Sequence, residues 1–284
     1  MVKEILIILT TIFAAPVVGG LLAGIDRKIT ARLQNRYGPP IIQPFYDLFK
    51  LIGKERISVN QTQMAYVLGN LFFAIAALVM LVLGQDLLML IFVLAFSNIF
   101  LIMGAMSIRS PYSKIGAQRE IIQMMAYEPV LLLMVVGIYL ITGSFMVGSI
   151  FGHTRPLISD LPLVLAAFLF VLAIKLRKSP FDFSTSHHGH QELVKGLTTE
   201  YSGLQLAFVE MTHWYELVLF LGMIALFFAK PIWVGIIIAV VCFFIEIVID
   251  NISARLTWKW MLKYTWLVGI GAAMTNIIWL YMKS

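Results

Sequence analysis

Long apolar runs broken by short polar segments make up most of this chain. They occupy roughly residues 5–24, 65–84, 87–107, 121–142, 161–176, 203–228, 232–249 and 264–281, the fifth being short and the fourth poorly bounded at its start. A helix rising 1.5 Å per residue needs about 20 apolar residues to cross the hydrocarbon core. None of the runs shows the period-two alternation of barrel strands. The pattern therefore predicts an all-α polytopic membrane protein, a single membrane domain over residues 1–284 with about eight transmembrane helices. The first run reads as a span rather than a signal peptide, because a long polar loop follows it without a small-residue cleavage site.

That loop has its own periodicity. Lys28, Arg32 and Arg36 fall four apart, so a helical continuation of the first span lines them on one face. Gly38-Pro39-Pro40 then reads as the stop. Ile41, Phe45, Leu48 and Ile52 follow at helical spacing, opposite Gln43, Asp47, Lys50 and Lys54. At about a dozen residues this segment is too short to span, and it is expected to lie along the cytoplasmic interface as an amphipathic helix. It is either a basic anchor for anionic lipid headgroups or a docking surface for a cytoplasmic partner.

Composition agrees with a membrane location. The chain is 60% hydrophobic and 13% charged, with a mean hydropathy of +0.91, whereas soluble domains are about 25% charged. The net charge of +6 does not point to nucleic acid, because the basic residues sit in short loops between apolar runs. The odd-numbered loops hold 17 Lys and Arg, and the termini with the even loops hold four: Lys3, Arg155, Lys230 and Lys283. Such asymmetry places the odd loops in the cytoplasm and both termini outside. Cys242 is the only cysteine, so the chain cannot supply the roughly four ligands an iron–sulfur cluster needs. Any electron carrier then belongs to a partner. No phosphate-cradling glycine loop, nucleophile elbow or CxxC motif is present.

The ionisable residues of an otherwise oily chain gather in and beside residues 175–216. Four of the five histidines (His187, His188, His190, His213) lie there, with Asp182, Glu192, Glu200, Glu210 and Glu216. Glu210, His213 and Glu216 follow at i, i+3 and i+6 inside the sixth span, and coupled acids in a low dielectric are candidates for proton exchange. Glu192 and Glu200 can share a helical face, with Lys195 a partner for Glu192. Upstream, Glu120, Met124 and Glu128 share a face, and Pro129 after Glu128 favours a kink. Glu128 is either a proton-handling site or the structural partner of a base such as Arg119. Glu246 and Asp250, four apart in the seventh span, are either part of the same chemistry or an ion pair at a helix end with Arg255. His187, His188 and His190 lack the i, i+4 spacing of a helical metal pair and lie among Ser, Thr and Gly. A subunit contact or proton donation is expected of them, and no metal site is assigned. Trp266, Trp279 and Tyr281 mark the last span's ends as interfacial anchors.

The motifs resemble a known family. The runs Asp26-Arg27-Lys28, Gln34-Asn35-Arg36-Tyr37-Gly38-Pro39, Gln43-Pro44 to Asp47, Lys50 and Lys54-Glu55 are similar to the heel subunit of the respiratory complex I membrane arm. Ala117-Gln118-Arg119-Glu120 to Tyr127-Glu128, Pro180-Phe181-Asp182, Glu192-Leu193-Val194 and Thr199-Glu200-Tyr201-Ser202-Gly203 match in the same order. Within that superfamily the chain most resembles the corresponding subunit of energy-converting (Ech-type) membrane-bound [NiFe] hydrogenases. The Ser184 to Glu192 loop replaces the acid-rich loop of quinone-reducing relatives, residues 56–63 are short, and Ser110-Pro111-Tyr112-Ser113 precedes Gly116 to Glu120.

The resemblance implies a membrane-anchor and proton- or ion-coupling subunit of a ferredoxin-linked hydrogenase, itself without a redox centre. Its [NiFe] centre and iron–sulfur clusters would sit in partners. Those partners are the hydrogenase large subunit, the iron–sulfur subunit nearest the membrane and antiporter-like membrane subunits, in the cell membrane. Glu128, Asp182, Glu192 and Glu200 carry over as members of an acid funnel, to which spacing adds Glu210, His213, Glu216, Glu246 and Asp250. Arg27, Lys28, Arg32, Arg36, Lys50, Arg119, His187, His188 and His190 are expected at docking surfaces. Two alternatives stand: the quinone-site subunit of a complex I-type NADH dehydrogenase, and a stand-alone secondary transporter, although no internal repeat supports the latter.

Overall fold

The computed structural model describes residues 2–55, 60, 62–153, 155–181, 196–228 and 230–283. Among them, seven helices are long and apolar enough to cross a membrane, and a shorter apolar helix joins them. The chain is a multi-pass, all-α membrane protein. Its residues divide into two compact units, one of residues 1–79, 92–121 and 182–218, the other of 80–91, 122–181 and 219–284.

The first helix, α1 (Val2–Leu33), runs well past the apolar segment. Its stop differs from the expected Gly-Pro-Pro. Asn35 adopts a left-handed φ of 56°, its N–H bonds to the Arg32 carbonyl at 3.0 Å, and the Arg36 N–H reaches back to the Ala31 carbonyl at 2.7 Å. These two bonds close the helix in a Schellman motif. Arg36 therefore lies beyond the helix and off the face that carries Lys28 and Arg32. The amphipathic helix α2 (Gln43–Ile52) starts with Pro44 in its first turn, where a missing N–H costs nothing. Leu48 is buried and Phe45 packs inward, but Ile52, expected on the same face, is exposed beside Tyr46 and Phe49.

The remaining spans are α3 (Thr62–Val82), α4 (Leu87–Met106), α5 (Pro111–Thr142), α8 (Gly203–Leu226), α9 (Ile232–Ile252) and the last one over Trp258–Lys283. Between α5 and α8 lie the single turn-and-a-half α6 (Val147–Gly152) and the short apolar α7 (Pro162–Lys175). Helix α5 begins ten residues before its apolar run and continues through Pro129. The polar stretch read as a loop is thus its first turns. The last span begins earlier than its apolar run, as α10 (Trp258–Tyr264), passes through a π-helical stretch (Thr265–Ile270), and continues as α11 (Gly271–Lys283).

In the first unit, α3 and α4 are locked by a polar pair. Asn70 Nδ2 donates to Ser97 Oγ at 2.9 Å, and Ser97 Oγ donates to the Asn70 carbonyl at 2.8 Å. Hydrogen bonds of this kind satisfy groups that lipid cannot. In the second unit, α7 has only 14 residues, nine of them buried, so protein rather than lipid surrounds it. Its free N-terminal amides are capped by a distant side chain. Asn276 Oδ1 of α11 accepts the N–H groups of Leu163 (2.8 Å) and Val164 (3.2 Å), while its Nδ2 donates to the Asp160 carbonyl at 2.8 Å.

Candidate functional site

In the first unit, helix contacts start from glycines in α1. A Cβ at Gly19 would lie 2.6 Å from the Trp214 carbonyl oxygen, and one at Gly20 would lie 2.5 Å from the Phe45 ring. Bare backbone at these positions lets α8 and α2 close on α1. Leu48, Ala207 and Trp214 then form a small core with Ala23, Phe45, Leu51 and Met211. Beside this core a cleft of about 220 Å³ is lined by Arg27, Asp47, Lys50, Lys54, Glu210 and Trp214, among others. Arg27 is tied to Asp47 at 2.6 Å, and Gln43 also donates to that carboxylate at 3.0 Å.

The acidic stripe of α8 separates. Glu210 lines the cleft, while Glu216 is buried, 3.6 Å from His213 Nδ1. Next along the helix, Tyr215 Oη donates to the Ile12 carbonyl at 2.6 Å. Glu200 sits in a segment fixed by its neighbours. Its carbonyl accepts from Gln63 at 3.5 Å, and Tyr201 Oη donates to the Leu101 carbonyl at 3.1 Å. Burial pushes the Tyr201 phenol above its ordinary range. Of the expected docking bases, Arg32 and Arg36 are exposed, Arg32 lying 4.8 Å over the Tyr37 ring, and Arg119 is exposed as well.

The second unit shows what the acid positions alone did not reveal. Glu128 of α5 interacts electrostatically with Lys175 at the end of α7, and one of its carboxylate oxygens is buried without a hydrogen bond among the described residues. Lys175 is itself buried, its ammonium 5.7 Å from the Tyr127 ring and 6.0 Å from the Phe220 ring. Thus the base that Glu128 meets in this unit is Lys175. Three residues on, buried Lys178 lies 5.1 Å over the Phe243 ring and acts on Glu246, which also feels Asp250. Glu246 is 4% exposed, again with one oxygen unbonded among the described residues. Asp250 accepts the Ser179 N–H at 2.7 Å.

Helix α7 ends on the same motif as α1. Arg177 is left-handed at φ 54°, and the Arg177 and Lys178 amides bond back to Ile174 and Ala173, each at 3.1 Å. That closure lets two cations three residues apart reach acids of two different helices. Lys175 and Lys178 were not singled out by sequence spacing. Their signal was a Lys-Leu-Arg-Lys cluster closing an apolar run too short to span. Downstream, the Phe181 carbonyl accepts from Gln123 at 2.6 Å, and the Pro180 carbonyl accepts from the Leu256 amide at 3.1 Å. Asp182, His187, His188, His190 and Glu192 lie outside the described residues.

Acids set against buried lysines, an amphipathic helix after a long first span, and a short embedded helix are the features to compare with known proteins. Residues 4–281 match the NADH dehydrogenase family. The chain belongs to that family. Formate hydrogenlyase subunit 4 of Escherichia coli (strain K12) is 33% identical over 202 residues, covering 66% of this chain. Hydrogenase-4 component C of the same organism is 32% identical over 66% of the chain. The chain spans 65% and 63% of the length of these two relatives. A subunit of the NADH-quinone oxidoreductase of Thermomicrobium roseum is 27% identical, covering 89% of this chain and 87% of that one. Among solved structures, a chain of the membrane-bound sulfane sulfur reductase, an archaeal respiratory membrane complex, superimposes with a TM-score of 0.88. It is 26% identical, with 98% of this chain and 99% of that chain covered.

Proposed function

We propose that this chain is the membrane-anchor and ion-coupling subunit of a ferredoxin-linked, energy-converting [NiFe] hydrogenase. The observation that carries the reading is the pair of acids, half-buried Glu128 and buried Glu246, each set against a buried lysine at or just past the end of α7. Uncompensated charge inside a membrane bundle is expensive, and acids retained there within electrostatic reach of bases are suited to taking up and releasing ions. A redox event in a cytoplasmic partner would change the potential at the segment that follows Lys178, shift the two lysines relative to the acids, and so change proton affinity. Glu200, Glu210, His213, Glu216 and Asp250, with Asp182 and Glu192, complete the proposed path.

The chain contributes no redox centre in this reading. The [NiFe] centre and iron–sulfur clusters belong to the large subunit and the membrane-proximal iron–sulfur subunit, and antiporter-like subunits complete the membrane arm. Docking falls to the exposed turn around Arg32 and Arg36, to Lys28, Arg119, His187, His188 and His190. The odd-numbered loops face the cytoplasm and both termini lie outside. The likeness to hydrogenase-4 component C and formate hydrogenlyase subunit 4 of E. coli supports this branch.

A second reading, the quinone-site subunit of a complex I-type NADH dehydrogenase, draws on the length over which the T. roseum oxidoreductase chain aligns. Purifying the tagged chain from its native membrane and identifying its companions separates the two. A [NiFe] large subunit is expected. NADH-oxidising subunits would establish the second reading, and an active lone chain would establish a transporter.

A further inference from the structure

The cleft among α1, α2 and α8 has a use apart from the buried acid–lysine pairs. Its floor is apolar, made by Leu48, Leu51, Leu206 and Trp214, and its rim carries charges of both signs. Arg27 and Asp47 neutralise each other at 2.6 Å. Lys50, in the last turn of α2, and Lys54, two residues beyond that helix, form no ion pair with any described residue, and neither does Glu210. Among the described residues, two cations and one carboxylate thus stay unneutralised around an oily floor.

The level of the cleft in the bilayer follows from the sequence of α1. That helix has no ionisable residue between Glu4 and Asp26, and Arg27 on the cleft wall stands where apolar gives way to charged. Lipid headgroups occupy that level. Beside it, α2 exposes Tyr46, Phe49 and Ile52, the apolar face of an interfacial helix. A volume of about 220 Å³ is below the roughly 300–1,000 Å³ of sites that enclose drug-sized molecules. It fits a headgroup rather than a folded peptide segment. Free phosphate would gain nothing from the apolar floor, and Glu210 would repel it.

We propose that the cleft binds the headgroup of an aminophospholipid, with the phosphate on Lys50 and Lys54, the ammonium on Glu210, and the glycerol over Leu51 and Trp214. The bound lipid fills the junction of α1, α2 and α8 and holds α2 at the membrane surface. The site does not depend on which redox partner the complex carries.

Native mass spectrometry of the purified, delipidated complex, titrated with phosphatidylethanolamine, tests this. Lys50→Gln with Lys54→Gln lowers apparent affinity roughly 30-fold, the equivalent of about 1 kcal/mol per lysine, whereas Lys50→Arg with Lys54→Arg retains it. Glu210→Gln abolishes the preference for phosphatidylethanolamine over phosphatidylglycerol while phosphate-dependent binding persists. Unchanged lipid retention in the double Gln variant overturns the proposal. So does displacement of the lipid by millimolar inorganic phosphate, or loss of a protein subunit from the double Gln variant with lipid retention intact.

Discussion

The Asp250 carboxylate holds the backbone amide of Ser179 at 2.7 Å, so an acid of α9 fixes the start of the segment that leads out of α7. Ser179 is buried, and its N–H has no water to fall back on. Removing the acceptor costs about 1–3 kcal/mol for a buried, unsatisfied donor. Asp250→Ala should lower the thermal midpoint of the complex accordingly, while Asp250→Asn, which keeps an acceptor oxygen, should lose less. Equal losses would show that the charge rather than the hydrogen bond matters.

Asn276 is the cap of a helix in another part of the chain. It satisfies two amides of α7 and one carbonyl before it. Asn276→Ala should destabilise by about 1–2 kcal/mol, the usual range for a lost cap. Asn276→Asp keeps the acceptor but gives up the donor to Asp160, so an intermediate midpoint is expected. Thermal unfolding of the detergent-solubilised complex reads all three.

Gly19 sets the approach of α1 to α8. A side chain there meets the Trp214 backbone at 2.6 Å, and a carbonyl cannot rotate aside as a side-chain tip does. Gly19→Ala should cost about 1–3 kcal/mol as overpacking, and Gly19→Val should cost more. Folding yield and thermal midpoint are the measurements. A midpoint unchanged by Gly19→Val would rule out this packing.

Much of the fold could be read from hydropathy because membrane spans are long and their apolar runs end at charge. Helix ends were less legible. Leu33 ends α1 because Asn35 takes the left-handed region, a local choice that the Gly-Pro-Pro further on masks. Residues 111–120 looked like a loop because Lys114, Arg119 and Glu120 are polar, yet a helix can emerge from the apolar run with its polar turns intact. The acids of the site were visible as charges in an oily sequence. Their partners were not: periodicity says which residues share one helix face, but the meeting of Glu128 with Lys175 and of Glu246 with Lys178 is decided by how α5, α7 and α9 pack.

Tyr201 gives a pH-dependent signature. Its folded phenol is pushed above the ordinary value by burial, so the folded state favours the protonated form that donates to Leu101. The contribution is complete below the unfolded value of about 10 and is lost as pH rises through the folded one. Tyr201→Phe should remove about 1 kcal/mol at neutral pH and make stability less sensitive to pH above 10. Denaturant midpoints of the complex across pH 7–11 test this.

The proposed coupling role depends on Glu128 exchanging its proton within electrostatic reach of Lys175. The direct measurement is ion translocation per turnover by the purified complex in sealed proteoliposomes, comparing wild type with Glu128→Gln. An assembled complex is expected whose electron transfer continues while translocation falls at least about 10-fold, a loss of at least about 1.4 kcal/mol in the coupled step. Undiminished translocation by the Gln variant would contradict a coupling role for this carboxylate.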